Sequence, residues 1–519
     1  MRRVALIISL VALAAGPLLA QDSLRIMEGL SMHSRILNQD VKYSVCLPAG
    51  YDTSERYYPV VYLLHGLGDD ETAWLEYGRI SQYYDAGFAK GNMSPMIFIM
   101  PEGYRTYYVN DYAGTFLYED MFVKELVPYI DSLYWTMPDP RYRGLIGYSM
   151  GGFGALSLHL KHPDIFGSAV PLSISIRTDE QYMTEYAPEW NEQWGRLFGA
   201  VGIEGPGRIT DYYKKNCPFH VIPEIPASDY DKFRIYIDNG DDEQTLCRSN
   251  EELHILMRSL GFPHEYRVRN GGHNFSYWCS ALPNALHFLS DAFMDKPYRG
   301  DIADENQGIA PDENLIQPVI NNIDGDQVTA YIPGEFTKTN RLYPVLYLTG
   351  NLGRLQVENI VSVINEMVTA NEIGPMVIIQ IPDKLLNGFL SIMPQVEDEF
   401  RIRKDYHFRS VVGYRESAEQ VCSLVMDQVL FSSCVLVDGY FQKNNVNEMM
   451  NEMPPEALKK TPFFIVTPDK GDYYEGNGYL HMMLRDKEIK HEYRIGGYED
   501  LGIGGLEEII KFVAENFHR

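Results

Sequence analysis

The sequence predicts an α/β fold built twice over: two tandem copies of a mostly parallel sheet with helices on both faces, the second copy shorter and degenerate. Three observations carry this reading. Short β-branched runs alternate with amphipathic stretches, the pattern of strands buried on both faces and joined by crossover helices. Four sequence blocks recur in the same order in both halves. A Gly-x-Ser-x-Gly turn stands between an apolar run and a helical stretch in the first half only.

Taken in order, Val60 to Leu64, Met96 to Met100, Gly144 to Gly147, Ser168 to Leu172 and Phe233 to Ile237 read as buried strands of the first copy. Glu119 to Tyr134, Gly152 to Lys161 and Asn250 to Leu260 carry helical spacing between them.

The repeat is read from matched blocks. "YPVVYLLHGLG" from Tyr58 matches "YPVLYLTGNLG" from Tyr343, and "SPMIFIMPEG" matches "GPMVIIQIPD". "GLIGYSMGGFGA" around Gly147 matches "SVVGYRESAEQV" around Gly413. "LHILMRSLGFPHEYRV" from Leu253 and "LHMMLRDKEIKHEYRI" from Leu480 share seven of sixteen positions without a gap. Chance likeness of generic strands explains one such block but not four in order. The offset shrinks from 285 residues at Pro59 and Pro344 to 227 at His264 and His491, so the second copy is the shorter. Length alone would suggest about three domains. The repeat makes it two, at 22–296 and 318–519, joined by a polar, acidic linker at 297–317.

The 519 residues carry 45 Lys plus Arg against 71 Asp plus Glu, a formal charge of −26. A surface this acidic repels phosphate backbones and anionic lipid, so no nucleic-acid or membrane-surface partner is expected. Arg2 and Arg3, the apolar run Val4 to Ala15, Gly16-Pro17 and the small Ala20 read as a signal peptide at 1–20. The run is too short to span a bilayer, and no Cys stands near the cleavage point to carry a lipid anchor. The mature chain is therefore expected to be exported, periplasmic or extracellular, without a membrane anchor. Six Cys without CxxC pairing or metal-ligand spacing read mostly as buried small hydrophobes, with a Cys247–Cys279 disulfide as the alternative.

The turn Gly147-Tyr148-Ser149-Met150-Gly151 presents a nucleophile on a sharp strand-to-helix corner. Glycines two before and two after the serine relieve crowding there, and the helix N-terminus lies beneath the developing charge. The competing reading, an inert serine on a tight turn, does not account for the flanking strand and helix. Ser149 needs a base, and His273 in "RVRNGGHNFSYW" follows it in chain order, directly after an apolar strand from Tyr266 to Val268. The loop "IDNGDDEQTL" offers Asp238, Asp241, Asp242 and Glu243 as the acid that orients the imidazole. In "YLLHGLGDD" the N–H of Leu67, with that of Met150, is the candidate oxyanion hole.

From about residue 22 to 296 the chain resembles the esterase D superfamily of α/β-hydrolases, and within it the secreted feruloyl and acetyl-xylan esterases of carbohydrate esterase family one. "YLLHGLGDDETAW", "MPEGY", "GYSMGGFGALSLHLKHPDIFGSA", "IDNGDD" and "HEYRVRNGGHNFSYW" carry the likeness. The resemblance implies an α/β-hydrolase fold and a Ser–His–acid serine esterase mechanism at Ser149 and His273, without metal or cofactor. It implies an acylated plant polysaccharide or oligosaccharide, bearing feruloyl or acetyl esters, as substrate. In the family the acid stands three residues after the loop glycine. That lands on Glu243 in place of the usual Asp, with Asp242 the alternative because the loop is slightly longer.

In the second copy Ser149 corresponds to Arg415, Gly151 to Ser417 and His273 to Asp500, so that copy is expected to lack catalysis. It would brace the first copy or bind a glycan or protein partner. All five Trp lie in the first copy, and Trp74, Trp190, Trp194 and Trp278 are candidates for stacking on a sugar or phenolic acyl group, against a plain packing role. Two other readings compete: an esterase for small or siderophore-type esters, and a non-catalytic binding protein on a hydrolase scaffold. Formylglutathione hydrolases share the motifs, but the signal peptide argues against that assignment.

Overall fold

The computed structural model describes residues 24–302 and 317–517, apart from 90, 92, 324–325, 338–340, 371, 387, 452–460, 469–472 and 496–502. The signal segment, Asp500 and most of the expected linker lie outside the described residues. Eight strands form the first sheet: β1 (Arg25–Ser34), β2 (Gln39–Leu47), β3 (Val60–Leu64), β4 (Ile97–Pro101), β5 (Arg143–Tyr148), β6 (Ser168–Leu172), β7 (Tyr236–Gly240) and β8 (Glu265–Arg269). Their order is β1-β2-β4-β3-β5-β6-β7-β8, antiparallel through β1, β2 and β4 and parallel thereafter.

The second sheet holds β9 (Gln317–Ile323), β10 (Asp326–Ile332), β11 (Val345–Thr349), β12 (Val377–Ile381), β13 (Arg409–Tyr414), β14 (Ser433–Val437), β15 (Phe463–Thr467) and β16 (His491–Ile495). Read from β9, its order repeats the same permutation, β9-β10-β12-β11-β13-β14-β15-β16. Both copies are α/β-hydrolase folds. The duplication reaches single side chains. His254 Nδ1 bonds His264 Nε2 at 2.8 Å in the first copy, and His481 Nδ1 bonds His491 Nε2 at 2.8 Å in the second. Tyr266 and Tyr493 stack on the first histidine of each pair, at 4.0 and 4.5 Å.

The two-residue period of a strand explains why the sheets need helices on both sides. In β3, Val60, Tyr62 and Leu64 pack into one apolar layer while Val61 and Leu63 pack into the opposite one. In β11, Val345 and Tyr347 face one layer and Leu346 and Leu348 the other. β3 and β6 fall where the apolar runs predict. β7 lies three residues later than expected, because Asp238, Asn239 and Gly240 continue the pairing with β8 despite their turn-like composition. The expected helix at 119–134 is interrupted by a π turn at Phe122–Leu126, just ahead of Pro128, which lacks the N–H an α-helix would use.

The copies are joined by buried charge. Arg341 pairs with Glu76 at 2.8 Å, and Arg403 pairs with Glu28 at 2.7 Å and with Glu76, all four side chains being at most 6% exposed. The Leu342 N–H donates to Glu28 at 2.6 Å. The Arg79 guanidinium donates to the carbonyls of Val368 and Ile373. The start of the linker stays on the first copy, where Asp301 pairs with Arg267 and Arg269 at 2.9 and 2.7 Å. Among the described residues no helix is long and apolar enough to cross a membrane.

Candidate active site

Ser149 turns the chain out of β5 with a φ of 54°, and the helix Met150–Lys161 starts at the next residue. The corner is stitched to the end of β6 by the Ser149 N–H to the Leu172 carbonyl and the Ser175 N–H to the Ser149 carbonyl, both 3.0 Å. A Cβ on Gly147 would fall 2.1 Å from the Gly151 oxygen, and one on Gly151 would fall 2.2 Å from the Leu64 oxygen. Both glycines are therefore required by close backbone approach.

Ser149, His273 and Glu243 come together across 124 and 30 residues of chain. His273 Nε2 lies 2.9 Å from Ser149 Oγ, and Nδ1 lies 2.6 Å from Glu243 Oε2. A buried carboxylate only accepts, so Nδ1 carries the proton and Nε2 presents its lone pair to the serine hydroxyl. Glu243 is 3% exposed. Its other oxygen accepts from the Ser173 hydroxyl and from the Gly240 N–H, the latter at 3.2 Å. Both oxygens of this buried acid thus have a donor.

The other candidate acids go elsewhere. Asp242 is exposed. Asp241 accepts from the Gly271 N–H at 2.9 Å. Asp238 is buried beneath Tyr277, Tyr236 and Arg269, at 2.5, 3.1 and 3.3 Å, and its burial pushes the carboxyl up to about 6. Gly271, two residues before the imidazole, has a φ of 145°, and a Cβ there would meet the Tyr277 ring at 2.5 Å.

Leu67 borders a cavity of about 710 Å³ beside His273. Met150 is the first helical residue, so its N–H has no intrahelical acceptor and is available at the corner. Trp278 lines the same cavity, meets the His273 ring edge-on at 5.1 Å and stacks on Tyr148 at 4.2 Å. The remaining tryptophan expectations are corrected. Trp74, Trp190 and Trp194 are at most 2% exposed and offer no open face to a ligand. Trp74 donates to the Leu64 carbonyl, Trp190 donates to the Ala200 carbonyl beneath the Arg208 guanidinium, and Trp194 packs on Tyr107 at 4.4 Å. The Cys247–Cys279 pairing that the sequence leaves open is not formed: both are free thiols, and Cys279 is buried with Sγ 3.2 Å from the Tyr77 carbonyl. Among the described residues no group of three or more His, Cys, Asp or Glu could hold a metal ion.

Ser173 escaped the sequence reading. It sits at a φ of 46°, accepts from Trp278 Nε1 at 2.8 Å and donates to Glu243, so it holds the acid in place. Its partners lie 70 and 105 residues away, and only the fold brings them together.

The second copy keeps the corner with Arg415 at the place of Ser149. Arg415 has a φ of 52° and donates its N–H to the Val437 carbonyl at 3.0 Å, as Ser149 does to Leu172. Its guanidinium pairs with Asp438 at 3.0 Å, and Asp438, at a φ of 49°, occupies the position that follows β14 as Ser173 follows β6. An ion pair fills the space where a nucleophile and its support would stand.

Residues 34–289 match the family model described as "Putative esterase". The chain is similar to an esterase of Mycobacterium tuberculosis, 28% identical over 249 residues, covering 45% of this chain and 52% of the relative. It thus spans about half the length of that curated relative. It is 34% identical over 131 residues to an endo-1,4-beta-xylanase/feruloyl esterase of Xylanibacter ruminicola, covering 24% of this chain and 18% of that protein. Among solved structures a ferulic acid esterase matches at 28% identity with a TM-score of 0.44, covering 52% of this chain and 99% of its own.

Proposed function

We propose that this protein is a serine carboxylic-ester hydrolase, its first copy matching the esterase family model over residues 34–289. Its substrate is an acylated plant polysaccharide or oligosaccharide bearing feruloyl or acetyl esters. The observation that carries the reading is the unbroken hydrogen-bonded relay from Ser149 Oγ through His273 to Glu243. His273 takes the serine proton through Nε2 as Oγ attacks the ester carbonyl, and Glu243 stabilises the imidazolium that forms. The N–H groups of Leu67 and Met150 receive the negative charge on the carbonyl oxygen. The imidazolium then protonates the departing alcohol, and water releases the acid from the acyl-enzyme by the same route. The substrate class is supported by relatives named as feruloyl and acetyl esterases.

Nitrophenyl acetate, methyl ferulate and acetylated xylan, assayed with wild type and Ser149→Ala, test this. The variant is expected to lose at least about a thousandfold in kcat on each ester the protein hydrolyses. Turnover that survives in Ser149→Ala would favour a non-catalytic binding protein with adventitious hydrolysis. Export is assigned from residues 1–20, and mass spectrometry of secreted protein should find Gln21 as its first residue.

A further inference from the structure

The cavity beside His273 is walled by both copies. On one side stand Leu67, Tyr77, Phe275 and Trp278 of the first copy. On the other stand Glu372 and Ile373, which precede β12, together with Lys511, Ala514, Glu515 and Phe517 at the C-terminal helix Ile503–Asn516. At about 710 Å³ it falls in the range of about 300–1,000 Å³ that accommodates a ligand of several rings.

This wall is held in a fixed place. Ile373 accepts from Arg79 of the first copy at 3.3 Å. A Cβ on the adjacent Gly374 would lie 3.1 Å from the Glu76 carbonyl oxygen, so the two backbones are in close approach. Glu76 is also the carboxylate that binds Arg341 and Arg403, and it directly precedes the cavity residue Tyr77. The buried ion pairs between the copies therefore adjoin the cavity rather than lying remote from it.

The position of the cavity indicates which part of an ester it receives. His273 hands its proton to the leaving oxygen, so the alcohol portion must depart on the imidazole side. The cavity is lined by His273 itself and by its neighbours Asn274, Phe275, Ser276 and Trp278. Its chemistry is aromatic and apolar below, at Tyr77, Phe275, Trp278 and Phe517, with charge at the rim. There Lys511 pairs with Glu372 at 3.1 Å, both about half exposed, and Glu515 is exposed beside them. Ring faces suit the apolar face of a sugar, and rim carboxylates and an ammonium suit its hydroxyls.

We infer that the degenerate second copy forms the outer wall of the substrate cleft and binds the glycosyl alcohol portion of the ester. The second copy thereby acts as a specificity element supplied in the same chain. This rests on the esterase reading for its substrate, and its test is separable from that reading.

The full-length protein is assayed on acetylated xylo-oligosaccharide and on nitrophenyl acetate, comparing wild type with Phe517→Ala and with Lys511→Glu. Each variant is expected to lower the ratio of kcat/KM for the oligosaccharide ester over nitrophenyl acetate by about tenfold, equal to about 1.4 kcal/mol. The loss should appear in KM. An unchanged ratio, including equal losses on both substrates, would overturn the inference. A second measurement does not need turnover. In Ser149→Ala/Glu515→Cys, saturating acetylated xylo-oligosaccharide should slow maleimide labelling of the new thiol by about fivefold or more, as expected for a rim position covered by ligand. Unprotected labelling, in a protein whose nitrophenyl acetate hydrolysis depends on Ser149, would refute the wall while leaving the esterase reading intact.

Discussion

Replacing Glu243 by Gln removes no heavy atom from the relay yet reverses its polarity at one end. In the wild type, Oε1 accepts from the Gly240 N–H at 3.2 Å and from Ser173, while Oε2 accepts from His273 Nδ1 at 2.6 Å. The Gly240 N–H can only donate, so a carboxamide must turn its oxygen toward Gly240 and its NH₂ toward the imidazole. His273 would then carry its proton on Nε2, facing Ser149 with a donor where a base is needed. A triad locked in the wrong tautomer loses about 10⁴ in kcat, or about 5.4 kcal/mol at about 1.36 kcal/mol per factor of ten. The assay is steady-state hydrolysis of nitrophenyl acetate at neutral pH, with folding checked by circular dichroism. Asp242→Asn is the paired control: it alters an exposed side chain and should shift kcat by no more than about twofold. If Glu243→Gln keeps more than about a tenth of wild-type kcat, or Asp242→Asn suffers the larger loss, the assignment of the acid is wrong.

Gly271→Ala forces a Cβ to within 2.5 Å of the Tyr277 ring at a φ of 145°, and the resulting displacement of His273 should lower kcat by about a hundredfold; nitrophenyl acetate kinetics check this. Arg403→Met leaves Glu28 and Glu76 buried with one fewer cation and should cost about 3–5 kcal/mol of stability, seen as a lower urea midpoint. His159 is buried, its Nδ1 bonded to the Phe166 carbonyl and its Nε2 accepting from the Arg234 N–H, and desolvation lowers it from 6.5 to about 4. Between those values the unfolded chain binds the proton and the folded chain does not, so the contribution is complete above pH 6.5 and falls away toward pH 4. Urea unfolding of wild type against His159→Gln should show an excess acid loss in wild type of about 3 kcal/mol across that window.

Much of this molecule is legible in its sequence, for reasons that are local. The apolar runs at Val60 to Leu64 and Ser168 to Leu172 are strands because both faces of each are covered. The elbow is legible because backbone crowding at Gly147 and Gly151 admits no other residue. The duplication is legible because the HEYR block retains its paired histidines in both copies. What the sequence hides depends on distant partners. Trp190 and Trp194 look equally suited to a sugar or to a core, and packing on Tyr182 and Tyr107 decides for the core. β1 and β2 carry no continuous apolar run, since the outer strand alternates exposed and buried residues. Asp238, Asn239 and Gly240 have a turn-like composition but extend β7, because β8 offers them a ladder. Ser173 and the second copy's wall depend on contacts that exist only after the sheets have formed and docked.

In the proposed function one copy of the fold carries the reactive serine and the other carries only its shape. This is tested most directly by treating the full-length protein with an alkyl fluorophosphonate and weighing it intact. A single adduct per chain is expected, mapped to Ser149 by peptide sequencing, with none in Ser149→Ala and still one in Arg415→Ser. No adduct on wild type, an adduct retained by Ser149→Ala, or a second adduct on Arg415→Ser would contradict it.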